Sequence, residues 1–75
     1  MVDISEYINL VETYEWSDEI EYLVMTVKLE KRVSVMICNA IRQEGYKVEL
    51  HTNEGMQVMF GNYFFNIKVH KKNIF

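Results

Sequence analysis

WSDEIEYLVMTVKLEKRVSVMICNAI, residues 16–41, carries two competing periodicities, and the choice between them sets the fold. Ile20, Leu23, Val24 and Val27 keep helical spacing, and a second stripe of Tyr22, Met25, Leu29, Val33, Met36 and Ala40 continues toward Gly45. Ser17 or Asp18 can cap such a helix, and Gly45 is a natural stop beyond its end. The polar Glu30, Lys31 and Arg32 divide the stretch, so the expectation is two helices near 18–30 and 33–44. YLVMTVKL, residues 22–29, is also rich in strand formers, and a strand there is the competing reading.

Outward from this stretch the patterns are simpler. Ile4, Tyr7, Ile8, Val11 and Tyr14 share one helical face, and Asp3 followed by Glu6 is a start signal, which predicts a helix over 4–15. YKVEL (46–50) alternates apolar and polar residues. HTNEG reads as a turn, and MQVMF–GN–YFFNIKV (56–69) reads as a hairpin with Gly61 first in a two-residue turn. Pairing residue 60 with 63 places Met56, Val58, Phe60, Tyr63, Phe65, Ile67 and Val69 on one face, and a one-residue slip would destroy that face. The same register sets Met59 opposite Phe64 on the polar face, as an apolar pair available to a partner or a dimer seam. The expected fold is α+β, a single domain over 1–75. An N-terminal helical half of two or three helices packs on a C-terminal three-stranded antiparallel β-meander, with strands near 46–51, 56–60 and 63–70.

With 75 residues, one cysteine and no proline, the chain has no intramolecular disulfide and no linker. A core of this size stabilises by only about 3 to 5 kcal/mol unless another chain helps, so a homodimer or a protein partner is expected. No apolar run is long enough to span a bilayer, and the N-terminus carries acids where a secretion signal carries bases. The expected location is therefore the cytoplasm. Residue types with AT-rich codons far outnumber Gly, Ala, Arg and Pro, which fits a low-GC bacterium or its phage, the latter acting in the host cytoplasm.

Charge is the most informative pattern. Residues 1–27 hold seven acids and no base, whereas residues 28–75 hold eight bases and four acids. Asp3, Glu6, Asp18, Glu19 and Glu21 all fall in expected first turns, where a helix dipole favours negative charge. Glu12 and Glu15 fall near the end of the first helix, where it does not. Glu12, Glu15, Asp18, Glu19 and Glu21 are thus the candidate partner-binding face, meeting a basic surface of a host protein by partial mimicry of DNA. Replication and transcription factors carry such surfaces. This reading makes the chain a non-enzymatic inhibitor encoded by a phage.

KVHKKNIF (68–75), following a hairpin and a helical run, resembles in outline a winged-helix module whose wing touches DNA. The resemblance implies an alternative, a small DNA-binding regulator working through Arg42, Lys47, Lys68, Lys71 and Lys72. Seven acids near a duplex would oppose that binding. QVMFGNYF (57–64) resembles the peptide by which replication proteins dock on sliding clamps, on Gln57, Phe60, Tyr63 and Phe64, with Phe60 where that peptide has an aliphatic residue. The β register accounts for the same residues. Cys38, in the apolar VMICNAI, reads as a core thiol. His51 and His70 lack the spacing of a zinc site, and no pair of acids is arranged for general acid/base work. No catalytic residue, metal or cofactor is expected.

Overall fold

Asp3 caps the first helix from the position the sequence indicates, but with a different partner. Its carboxylate accepts the Ser5 N–H at 3.0 Å and the Ser5 hydroxyl at 2.6 Å, while Glu6 adds negative charge to the first turn. The protein is described by a computed structural model over residues 3–52 and 63–72. Helix α1 spans Ile4–Thr13, two residues short of the expected end.

The competition within 16–41 is won by the strand. Residues 22–29 form β1 (Tyr22–Leu29), which corrects the helix expected over 18–30. Leu23, Met25, Val27 and Leu29 turn inward, while Tyr22, Val24, Thr26 and Lys28 are exposed, the two-residue period of a pleated strand. Ser17 and Asp18 form a turn instead of a cap, closed by the Ile20 N–H on the Ser17 carbonyl at 3.2 Å. Glu30 to Arg32 mark the junction between strand and helix: α2 spans Lys31–Gln43 with Glu30 at its N-cap. It ends where expected, with Gly45 at φ 99° and its N–H on the Arg42 carbonyl at 2.9 Å.

The remaining strands are β2 (Val48–Thr52) and β3 (Tyr63–His70). The fold is α+β, with two helices and a three-stranded antiparallel sheet among the described residues. Its order is β1-β3-β2, so it is not the expected meander, and helices and strands are interleaved along the chain. β3 is central, with Phe65 opposite Val27 on one side and Thr52 on the other, and Ile67 opposite Met25 and Leu50. Both edges of 65–69 are thereby occupied by described residues. The expected strand 56–60 and the turn at Gly61 and Asn62 lie outside the described residues.

The inward parity expected for β3 holds: Phe65, Ile67 and Val69 are 3 %, 0 % and 0 % exposed. Helix α2 packs across all three strands on one face of the sheet, and α1 packs on α2. Ile37, Cys38 and Ile41 of α2 and Val11 of α1 complete the core. Burial pushes the Cys38 thiol above its ordinary pKa, as befits a core residue.

Candidate functional site

The connection between α1 and β1, residues 14–21, is irregular yet anchored at several points. Trp16 folds back so that its indole N–H donates to the Val11 carbonyl at 3.1 Å. Its ring stacks on Tyr46, with centroids 6.3 Å apart, and Tyr14 meets it edge-on at 4.9 Å. The Lys71 ammonium donates to the Ser17 carbonyl at 2.8 Å, and the Lys71 N–H donates to the Glu21 carbonyl at 2.8 Å. Lys71, the first residue past β3, therefore holds both ends of the acidic turn in place.

This geometry changes the meaning of the acids. Asp18, Glu19 and Glu21 precede a strand, so there is no helix dipole for them to complement. Glu15, Asp18, Glu19 and Glu21 are exposed along the connection. Glu12, at the end of α1, accepts a hydrogen bond from the Tyr46 hydroxyl at 3.2 Å. Burial, helped by that bond and by the charges of Glu12 and Glu44, raises the Tyr46 pKa and keeps the phenol protonated.

The candidate residues assigned to opposite poles partly converge here. Lys71 lies 3.7 Å from the Asp18 carboxylate, and Lys72 stands 4.4 Å over the Tyr46 ring. Glu12, Trp16, Tyr46, Lys71 and Lys72 line a shallow cleft of about 280 Å³. The basic end thus trims the acidic one within a single chain. Asp18 remains fully exposed, so solvent screens that ion pair.

The other candidate cations are dispersed, and two of them, Arg42 and Lys68, are engaged. Arg42 donates to Asn39 Oδ1 at 3.0 Å and to the Val48 carbonyl at 2.7 Å, tying the end of α2 to the start of β2. Lys68 stands 4.0 Å over the Tyr22 ring on the open face of the sheet, and Lys47 is exposed just before β2. A single helix, α2, separates β1 from β2, so no helix-turn-helix forms between them. Phe64 is half-buried on the open face, opposite Lys28 of β1, and its expected partner Met59 lies outside the described residues. Tyr63 and Phe64 belong to β3, and Gln57 and Phe60 also lie outside the described residues.

On the same open face Glu49 bridges two histidines. His70 Nε2 bonds its Oε2, and His51 Nε2 lies 3.4 Å from its Oε1. The bond from His70 holds the Glu49 carboxyl below its ordinary pKa. Among the described residues no group of three or more His, Cys, Asp or Glu is arranged to hold a metal ion. No helix of the described residues is long and apolar enough to cross a membrane.

Sequence reasoning located the acids but missed what holds them. The only tryptophan of the chain, set among Glu12, Glu15, Asp18 and Glu19, was the available signal: a large ring in so charged a stretch must be buried against something. The chain matches no family model, curated protein or solved structure in comparisons with each.

Proposed function

We propose that the chain is a non-enzymatic binding protein whose working surface is the acidic connection, and whose partner is a protein surface rich in Lys and Arg. The observation that carries this reading is the combination of anchoring and charge over residues 14–21. Four acids, Glu15, Asp18, Glu19 and Glu21, stand exposed on a backbone pinned by Trp16 and Lys71. Holding like charges close together costs stability. An ordered array of them gains in return a fast, salt-sensitive encounter with a basic surface. Glu12 has a structural partner in Tyr46, and its role is to shape the border of this surface.

A basic surface that accepts such an array is of the kind that otherwise handles nucleic acid. Occupation of it by a phage-encoded inhibitor is the setting that the AT-rich residue usage favours. The DNA-binding alternative loses support because Arg42, Lys71 and Lys72 are held in intramolecular contacts.

The test is capture of host proteins on the immobilised chain, wild type beside Glu15→Lys/Glu19→Lys. A partner retained by the wild type, released by raised salt or by competing duplex DNA and lost by the variant supports the reading. A partner retained equally by both forms overturns it.

A further inference from the structure

Four of the exposed large apolar side chains, Leu10, Tyr14, Tyr22 and Val24, at 58 %, 40 %, 47 % and 50 % exposure, stand around one groove. Leu23 and Met25 complete its lining, and its volume is about 430 Å³. Successive residues of a strand point to opposite faces, so a groove touching 22, 23, 24 and 25 together lies along the outer edge of β1, with α1 as its wall.

That edge is open. The Lys71 N–H bonds the Glu21 carbonyl, which places the odd residues of the β1 segment in hydrogen-bonded pairs with β3. The N–H and C=O of Tyr22, Val24, Thr26 and Lys28 therefore point outward, where no described residue meets them. An eight-residue edge without proline, flanked by exposed apolar side chains, is a template for another strand.

The chemistry of the edge favours one occupant. Asp18, Glu19 and Glu21 precede β1, whereas Lys28, Lys31 and Arg32 stand at or beyond its end, with Glu30 paired to Arg32 at 3.9 Å. An antiparallel copy of the same strand sets the acidic start against the basic end twice over. Parity agrees: the outward groups are all on even residues, so a two-fold axis at Met25 sets Tyr22 opposite Lys28 and Val24 opposite Thr26. That register pairs every outward group and brings core face to core face.

We propose that a second copy of the chain pairs with β1 across a two-fold axis at Met25, joining two three-stranded sheets into one of six strands. The incoming strand carries Leu23, Met25, Val27 and Leu29 on the helix side of the seam, beside Leu10 and Tyr14. The seam is distinct from the Met59/Phe64 pair expected from the sequence, and it does not depend on the acidic connection having a partner.

Sedimentation across micromolar concentrations, combined with amide hydrogen exchange, tests it. The expected result is a dimer in which the amides of Tyr22, Val24, Thr26 and Lys28 exchange slowly although the monomer leaves them open. Val24→Lys, at an exposed site, weakens the dimer by about tenfold or more, whereas Thr52→Lys on β2 leaves it unchanged. A monomer at every concentration overturns the proposal and leaves the edge to a foreign strand. A dimer whose even β1 amides exchange freely overturns it as well.

Discussion

The two faces of β3 obey different rules. On the helix side Phe65, Ile67 and Val69 are almost wholly buried in the apolar core with Ile37, Cys38 and Ile41 of α2. On the open side Phe64, Asn66, Lys68 and His70 are half-buried and engage their cross-strand neighbours singly: Asn66 accepts from Thr26 at 2.9 Å, Lys68 covers Tyr22, and His70 bonds Glu49. One face holds the fold together, and the other leaves its side chains free to be exchanged. The strand alternation makes this a sharp boundary, since adjacent residues fall on opposite sides of it.

The largest expected effect follows from that alternation. Phe65→Asp places an unpaired charge among apolar groups and abolishes folding, whereas Asn66→Asp, one residue away, changes stability by about 0.5 kcal/mol or less. Circular dichroism with urea titration checks both, and equal effects would break the comparison.

Trp16→Ala comes next, with an expected loss of about 2 kcal/mol as the stacking on Tyr46 and the bond to Val11 disappear. Amide exchange over 14–21 should accelerate in this variant while α2 stays protected. A connection that exchanges equally fast in the wild type would contradict the anchoring.

Ser34 sharpens the comparison from the helix side. Its hydroxyl is fully buried with no hydrogen-bond partner among the described residues. Ser34→Ala should therefore stabilise the protein by about 1 kcal/mol, read as a shift in the urea midpoint.

The smallest effect belongs to the open face. Because Glu49 has a lower pKa folded than unfolded, its contribution to stability is present above the ordinary carboxylate range and is lost as pH falls through the folded value. Glu49→Gln should flatten the acid limb of the stability profile below about pH 4.5 and lower stability slightly near neutrality, where the contribution of the carboxylate is fully present. An unaltered acid limb would remove Glu49 from the account.

What was legible in the sequence was what is decided locally. The Asp3 cap, the Gly45 stop and the inward parity of Phe65, Ile67 and Val69 follow from neighbouring residues alone. YLVMTVKL was different, since its apolar residues satisfy a helix and a strand equally well. The sheet resolves it: β3 is apolar enough to need a partner on each edge, and β1 is one of them. The partners of β3 were hidden for a related reason. Among the described residues 65–69 pair with 48–52 and 23–27, brought in from far along the chain, whereas the expected register was argued from adjacent residues alone. The anchoring of the acidic connection was equally hidden, because Lys71 and Ser17 are 54 residues apart.

On the proposed reading the exposed acids of 14–21, and not the dispersed cations, form the working surface. One NMR titration at low ionic strength addresses it directly, with an oligolysine peptide and duplex DNA added to separate samples. The account predicts salt-sensitive shifts at the amides of residues 12–21 with oligolysine and no binding of duplex DNA at micromolar concentration. Micromolar binding of DNA with shifts centred on Arg42, Lys47 and Lys68 would contradict it.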